Sequence, residues 1–341
     1  MTTDQASAPH PHTLDQVTMR AAVQRRYAGP EHISLATVPR PSVRPDQVLI
    51  EVHAAGVERG AWHLATGQPL VMRALGFGLR RPRQPIVGTE VAGIVVEIGE
   101  AVTRFAVGDA IMGAADGAYA EWAVAKESAV TLKPADISFD EASAVGVSGL
   151  AALVAIERAH LRPEQRVLVL GASGGVGSFA TQLAAAAGAH VTGVSSAAKA
   201  EFVANLGADA VIDYRTTEVT AARHSFDVII DAGGLTPLWR LRRILAPEGT
   251  LVIVGGEGGG RITGGAGRQL RAVFASLVTR RTLTSILSTT NADGLQRLCA
   301  HITAGDVRAA VTTSYPLERA SEALVDLGAG RIAGKAIITV R

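Results

Sequence analysis

The pattern of apolar and polar positions changes near the middle of the chain. From Met19 to about Ala142, short segments alternate apolar and polar residues, as in Gln47–Ala54 and Glu90–Ile98. Alternation with a period of two is typical of strands that bury one face. Tyr119–Val124 is a further strand candidate. We therefore predict an irregular, barrel-like β domain in this part of the chain.

From about Ser143, short apolar runs alternate with helical patterns such as Leu150–Ala159 and Ala197–Leu206. Strands separated by helices favour a parallel, doubly wound sheet, so the fold class is α/β. We expect the final strand, Lys335–Val340, to pair back with the first domain. The predicted boundaries are a disordered tail at 1–17, a β-rich domain at 18–142 and 288–341, and a parallel-sheet domain at 143–287. The predicted strands of that sheet are Val167–Leu170, His190–Val194, Ala210–Ile212, Asp227–Asp231 and Thr250–Val254.

A glycine-rich turn follows the first of these strands. The segment Arg166–Ala189 reads as a buried strand, a turn containing Gly171, and a tightly packed helix. Such a turn lets the backbone approach a pyrophosphate and directs free helix N–H groups at its charge. The sequence therefore predicts a nucleotide site. Its predicted contacts are Ser173, Gly174, Gly175, Val176 and Gly177.

The residues after the second strand bear on which dinucleotide is bound. An acidic residue at this place holds the ribose 2′-hydroxyl of NAD, but here the strand is followed by Ser195, Ser196 and Lys199. Hydroxyls and an ammonium suit a 2′-phosphate, which a carboxylate would repel, so we predict NADPH. The alternative is that the serines only cap the next helix and that the lysine is a solvated surface residue.

Composition excludes several classes of protein. A formal net charge of +2 gives no reason to expect nucleic-acid binding, and there is no apolar run of about 20 residues that would cross a membrane. The one cysteine, Cys299, cannot form an internal disulfide or a four-thiolate zinc site. The polar N-terminus does not look like a secretory signal, so we expect a cytoplasmic protein.

Seven segments together resemble the medium-chain dehydrogenase/reductase superfamily, and within it the zinc-independent, zeta-crystallin-like quinone oxidoreductase branch. The resemblance implies a GroES-like catalytic domain, a Rossmann domain and a cleft between them where hydride is transferred. It also implies a homodimer that pairs through the last Rossmann strand, Thr282–Leu287. The matching segments are Ala54–Gly67, Gly88–Gly113, Gly117–Ala125, Gly171–Gly177, Leu206–Arg215, Phe226–Gly234 and Ala246–Gly256.

The resemblance assigns further cofactor contacts residue by residue. Lys199 and Tyr214 occupy the positions that contact the 2′-phosphate in NADPH-binding members, and Arg331 is a third candidate. The turns after two later strands would line the nicotinamide side. The residues implied there are Gly233, Val254, Gly255 and Gly256.

The zinc ligands of related alcohol dehydrogenases are missing. Their Gly-x-Cys and Gly-His-Glu motifs read Gly56-Val57-Glu58 and Gly88-Thr89-Glu90 here. We therefore expect no metal, and a small hydrophobic quinone or α,β-unsaturated carbonyl as the hydride acceptor. His63 follows Trp62 near the presumed cleft and is a candidate for contacting the substrate.

At position 58 this chain has glutamate, where the quinone oxidoreductase branch usually has asparagine. A buried glutamate could donate a proton in a specialised biosynthetic enoyl reductase, or it could pair with a basic residue and only shape the pocket. A non-catalytic NADPH-binding protein is the remaining alternative.

The sequence leaves the roles of two arginine-rich segments undecided. Gly67–Pro85 mixes apolar residues with four arginines, and reads either as a lid over a hydrophobic, anionic substrate or as a packed surface loop. Arg261–Arg281 reads as an amphipathic helix at the cleft edge or the dimer interface.

Overall fold

The structure is a computed structural model that describes residues 17–221, 224–255, 260–276, 279–286 and 290–341. The predicted tail before Val17 and the predicted cofactor contact Gly256 lie outside the described residues. Two large sheets organise the chain, and a two-stranded ribbon of β1 and β2 covers the N-terminal one. The strands are β1 Thr18–Val23, β2 Ser34–Pro39, β3 Gln47–Val57, β4 Glu90–Ile98, β5 Ala110–Ala114, β6 Trp122–Lys126, β7 Val130–Leu132, β8 Arg166–Leu170, β9 His190–Ser195, β10 Ala210–Asp213, β11 Phe226–Asp231, β12 Leu245–Ile253, β13 Thr282–Ser285, β14 Val311–Pro316 and β15 Lys335–Thr339.

Ten helical segments fall within the described residues, together with short 3₁₀ and π turns. The predicted helix at 197–206 is shorter, because a 3₁₀ turn at Ala197–Lys199 precedes its α-helical part. The helices are α1 Arg59–Thr66, α2 Leu70–Met72, α3 Phe139–Ser143, α4 Ser148–Ala159, α5 Gly175–Ala186, α6 Ala200–Ala204, α7 Leu238–Ile244, α8 Ala266–Ser276, α9 Ala292–Thr303 and α10 Ala320–Gly328.

The second half of the chain forms the parallel, doubly wound sheet that the pattern predicts. Its strand order is β10-β9-β8-β11-β12-β13, and Val167 pairs with both Val191 and Val228. Leu168 and Val169 face opposite sides of this sheet, and both are fully buried. Helices cover both faces, so the carboxyl ends of the strands open on one edge, where ligands bind in such folds.

The strands of the first half, together with β14 and β15 from the C-terminal end, form a mainly antiparallel sheet. Its order is β14-β15-β3-β4-β5-β7, and β6 also pairs with β3. The last strand, β15, pairs antiparallel with β3, with Ala336 opposite Val57. The predicted strand at 119–124 begins later, at Trp122, because the backbone of Tyr119 and Ala120 pairs instead with Val87 and with residues 21–22 of β1. The pairing of β15 with β3 brings the C-terminus beside the first residues of the cleft.

The C-terminal tail contributes to both cores. Leu298 and Ile302 of α9 pack in one apolar cluster with Leu150 of α4 and Phe179 of α5, all beside the parallel sheet. Tyr315, in contrast, packs in the core of the β-rich sheet. The tail therefore crosses between the two units, and the domain boundaries given above stay predictions.

Candidate active site

A cavity of about 420 Å³ lies where the two sheets meet, at the carboxyl ends of the parallel strands. Glu58 and Arg59 line it from the β-rich side, and the glycine turn and Gly233 line it from the other. Leu327 at the end of α10 and Gly330 just after it complete the wall. This is the cleft that the sequence predicts between the domains.

In the glycine turn, neighbouring backbone atoms occupy the space that a side chain would need. A Cβ added to Gly177 would lie 2.0 Å from the carbonyl oxygen of Gly171, so only glycine lets α5 approach β8 this closely. Gly171 itself has φ of +74°, which favours glycine. Ser173, Gly174, Gly175, Val176 and Gly177 all line the cleft, as predicted for pyrophosphate contacts. The first N–H groups of α5 have no partners within the helix and face the same space.

Cationic and hydroxyl side chains gather at one end of the cleft, which we call the adenosine end: Ser196, Lys199, Tyr214 and Arg215. The Lys199 ammonium donates to the carbonyls of Gly330 (2.8 Å) and Ile332 (2.6 Å), and partial burial lowers its pKa. The backbone N–H of Tyr214 donates to the carbonyl of Ser195, which fixes the spacing of the two segments. Sequence reasoning did not assign Arg215, although it adjoins Tyr214 in a matching segment.

Some predicted cofactor contacts lie away from the cleft lining. Arg331 is exposed and donates through Nε to Asp326 at 2.8 Å, although its neighbours on both sides line the cleft. Ser195 is buried and donates to the carbonyl of Ser196. Val254 and Gly255 follow β12, where their N–H groups donate to the carbonyl of Asp231. Contact between these residues and a cofactor stays a prediction.

Glu58 is buried at the opposite end, where it caps the N-terminus of α1. Its Oε1 accepts hydrogen bonds from the N–H of Ala61 (2.8 Å) and the hydroxyl of Thr89 (2.9 Å). Burial raises the pKa of Glu58, and the nearby charge of Glu90 raises it further, while Lys335 and the two hydrogen bonds oppose the shift. The carboxyl group therefore holds a proton to a higher pH than an exposed glutamate does.

Glu90 and Lys335 form a buried ion pair beneath the glycine turn, and we call these two residues with Ser148 the buried triad. The Lys335 ammonium also donates to Ser148 Oγ (3.0 Å) and the carbonyl of Val57 (3.2 Å). Glu90 accepts from the backbone N–H groups of Val147 (2.7 Å) and Ser148 (2.9 Å). Sequence reasoning missed this pair because its members are 245 residues apart.

The other candidate near the cleft, His63, lies within α1 and contacts the Trp62 ring edge-on. It does not belong to the residues that line the cavity beside Glu58. Among the described residues, no group of three or more His, Cys, Asp or Glu side chains is placed to hold a metal ion. Glu58 and Glu90 are the only acidic residues at the two motif positions where zinc ligands would be expected.

Comparisons with known proteins agree with this fold and cleft. Residues 44–135 match the model of the alcohol dehydrogenase GroES-like domain, and residues 206–338 match a model described as zinc-binding dehydrogenase. The chloroplast envelope quinone oxidoreductase homolog of Arabidopsis thaliana is 30% identical, across 91% of this chain and 94% of that protein.

Solved structures give the same result. The quinone oxidoreductase from Coxiella burnetii is 26% identical with a TM-score of 0.83, and the match covers 95% of this chain and 100% of that one. A mycobacterial protein solved in complex with NADPH is 25% identical with a TM-score of 0.80, over 94% of this chain and 100% of that one.

The fold and the cleft define a nicotinamide-dependent oxidoreductase. The chain belongs to the medium-chain dehydrogenase/reductase superfamily, in its quinone oxidoreductase group. Within the part of the chain that the structure describes, no helix is both long and apolar enough to cross a membrane.

Proposed function

We propose that this protein is a zinc-independent, NADPH-dependent reductase whose hydride acceptor is a quinone or an α,β-unsaturated carbonyl compound. The observation that carries the proposal is the contrast between the two ends of the cleft. The adenosine end presents Lys199 and Arg215. At the opposite end, Glu58 and Glu90 occupy the two motif positions of the zinc ligands in related alcohol dehydrogenases, and Lys335 pairs with Glu90.

The preference for NADPH rests on the charge of the adenosine end. Two cations and the hydroxyls of Ser196 and Tyr214 suit a 2′-phosphate, and among the described residues that line this cavity the one acidic side chain is Glu58, at the far end. The glycine turn fits a pyrophosphate because its backbone N–H groups are open to the cleft. When bound, the reduced nicotinamide supplies the hydride.

Zinc independence rests on the surroundings of the two acidic residues. Glu90 already accepts two backbone N–H groups and pairs with the Lys335 ammonium, whose charge would repel a divalent cation. Glu58 accepts from Ala61 and Thr89, so its oxygen is engaged in capping α1. Three ligands with lone pairs free for a metal are not gathered at this place.

The proposal is tested by following NADPH oxidation with a panel of quinones and enones, after dialysis against a chelator. Turnover that survives chelation, and that falls at least about tenfold with NADH, is the expected result. Tight NADPH binding without turnover on any acceptor would favour a non-catalytic NADPH-binding protein. Loss of activity on chelation would contradict zinc independence.

A second candidate, an enoyl reductase, is favoured by the raised pKa of Glu58. In this case Glu58 donates the proton that follows hydride delivery, so activity falls as pH rises through its pKa. Glu58→Gln keeps an oxygen for Ala61 and Thr89 but cannot titrate. We expect the variant to lose this pH dependence, and a profile of unchanged shape would leave Glu58 only a structural role.

We also propose a homodimer, which the resemblance implies. β13 is at the edge of the parallel sheet as described, and Leu270, Val273 and Phe274 form an exposed apolar face on the adjacent α8. Sedimentation of the wild type and Phe274→Asp tests the assignment, and we expect the variant to dissociate. A cytoplasmic location stays a prediction, since one relative is named for the chloroplast envelope.

A further inference from the structure

A second concave surface, separate from the cleft, lies on the β-rich side of the molecule. Its volume is about 590 Å³, which is within the range of small-molecule sites. It shares no lining residue with the cleft. We call it the arginine hollow, defined by Gln24, Arg25, Leu79, Arg80, Arg81 and Arg83.

Among the described residues, no acidic side chain pairs with the arginines of the hollow. Arg25, Arg80 and Arg81 are exposed and form no ion pair with any other described residue. The Arg83 guanidinium has one long hydrogen bond among the described residues, 3.5 Å to the carbonyl of Gly76. None of the described residues that line the hollow is acidic, and residues 59–89 contain no aspartate or glutamate. Four guanidinium groups around one concavity attract anions, and arginine matches phosphate geometry particularly well.

Gln24 gives the hollow a second, independent feature. Its side chain is only 3% exposed, and its Oε1 is buried without a hydrogen-bond partner. Its Nε2 donates to the carbonyl of Leu64 at 3.2 Å, which orients the amide. A buried acceptor without a donor is unfavourable, so a ligand N–H or O–H that reaches this oxygen would form a stabilising hydrogen bond.

The loop that carries the arginines is held in place. The Tyr27 hydroxyl donates to the carbonyls of Phe77 (2.7 Å) and Gly78 (2.8 Å), and the N–H of Arg83 donates to Phe77 (2.9 Å). Pro82 is buried. The hollow is therefore preformed, which reduces the entropy lost when a ligand binds.

The hollow and the cleft are connected through α1. Gln24 bonds to Leu64 near the end of this helix, and Glu58 caps its beginning. At 1.5 Å per residue, these positions are about 9 Å apart along the helix axis. A substrate held by its handle in the hollow would therefore need a chain that covers at least this distance to reach the Glu58 end of the cleft.

We propose that the arginine hollow binds a small ligand with more than one phosphate group, which also donates a hydrogen bond to Gln24. A nucleotide with several phosphates meets both conditions. The ligand has two possible sources. It is either the phosphorylated nucleotide handle of a thioester substrate, as in coenzyme A, or a free nucleotide or pyrophosphate. The first source rests on the proposed reductase function, and the second does not.

Equilibrium binding tests the site without any need for turnover. Coenzyme A, ADP and inorganic pyrophosphate are titrated by calorimetry in saturating NADP⁺, which blocks the nucleotide cleft. We expect Arg80→Ala/Arg81→Ala to weaken binding about tenfold or more, because two charge-assisted contacts are lost. The control, Arg158→Ala/Arg162→Ala, removes the same charge from exposed sites elsewhere and should bind like the wild type. Equal weakening in both variants, or no binding of any probe, overturns the proposal.

A further variant addresses Gln24. Gln24→Met removes the amide acceptor at similar side-chain volume, so binding of ADP and coenzyme A should weaken, and thermal unfolding of the variant reports whether the fold is retained. Unchanged binding in this variant would contradict the assignment of Gln24 to the site.

The probes distinguish the two sources. Binding of all three indicates a site for free phosphates, whereas binding of coenzyme A alone indicates a substrate handle. For the handle, KM for an enoyl thioester of coenzyme A should rise in the Arg80/Arg81 variant, and KM for the same acyl group on a short, uncharged thiol should not. Wild-type turnover on simple quinones and enones tests the proposed function separately, so the two proposals can fail independently.

Discussion

The two ends of the cleft differ in how deeply their charged groups are buried. The adenosine end has backbone N–H groups and two cations, the half-buried Lys199 and the exposed Arg215. The other end uses buried ionisable side chains, with Lys335 only 1% exposed and Glu90 fully buried. Exposed charges are screened by water, so each of them contributes little to stability. Buried charges depend on their partners, so the same substitution has a much larger effect there.

Substitutions at the two ends should therefore affect different properties: cofactor affinity at the adenosine end, and stability and the proton affinity of Glu58 at the buried end. At the adenosine end a lost contact weakens the cofactor and leaves the fold intact. In the buried triad a lost contact leaves an uncompensated charge under the glycine turn and changes the proton affinity of Glu58. Four predictions test this contrast, in order of decreasing effect.

The largest effect is expected from Lys335→Met. Removing the ammonium leaves Glu90 buried without its partner, and breaking a buried pair in this way costs about 3–5 kcal/mol. The midpoint of unfolding in urea should fall accordingly. In Glu90→Gln/Lys335→Met the amide oxygen can still accept from Val147 and Ser148, so most of the stability should return. Equal losses in the single and double variants would show that the charge is not the cause.

Gly177→Ala is expected to cost about 2–3 kcal/mol, at the upper end for overpacking, because the added Cβ meets the backbone of Gly171 rather than a movable side chain. Cofactor affinity should fall with it, since α5 must shift. Thermal unfolding and NADPH fluorescence measure the two effects. Gly267→Ala is a matched control, because its Cβ would have nothing within 4 Å and would favour the helix.

Lys199→Ala should lower the preference for NADPH over NADH about tenfold with little change in stability, because one charge-assisted contact is lost from a partly exposed site. The measurement is the ratio of kcat/KM for the two cofactors. Arg331→Ala provides the comparison, since Arg331 is exposed and held by Asp326. If Arg331→Ala lowers the ratio as much as Lys199→Ala does, the side chain must turn to the cleft when cofactor binds.

The sequence predicts the adenosine end better than the buried end, for a physical reason. The glycine turn and Lys199 follow strands directly and are found by local pattern, and the family resemblance adds Tyr214; all of them line the cleft, and their contact with a cofactor stays a prediction. The pattern also gave the bounds of β4 without error and the class of both sheets. The buried triad depends on the register of β15 against β3, which places Lys335 next to Val57 and below Gly175. A local sequence pattern cannot predict how two strands so far apart along the chain align.

The unpartnered side-chain oxygen of Gln24 is a similar case. The backbone N–H of Gln24 donates to the carbonyl of Pro85, and Tyr27 anchors Phe77 and Gly78, contacts that apolar periodicity does not encode. The sequence alone leaves this loop open between a lid and a packed surface. The structure shows it anchored, yet with Leu75 and Leu79 each 72% exposed, so it combines features of both.

The smallest effect concerns the pH dependence of stability. Because the pKa of Glu58 is raised on folding by burial and by Glu90, the folded state holds this proton more tightly than the unfolded state. The stabilising contribution is therefore complete below the unfolded pKa and is lost as pH rises through the folded value. The free energy of unfolding of the wild type should decline over this window relative to Glu58→Gln, which keeps the cap but cannot titrate. The loss is moderated because Lys335, Thr89 and the N–H of Ala61 stabilise the carboxylate once it forms. Denaturant titrations at several pH values give the difference, and parallel curves for the two proteins would show that folding does not raise the pKa of Glu58, which would remove the ground for assigning it as the proton donor.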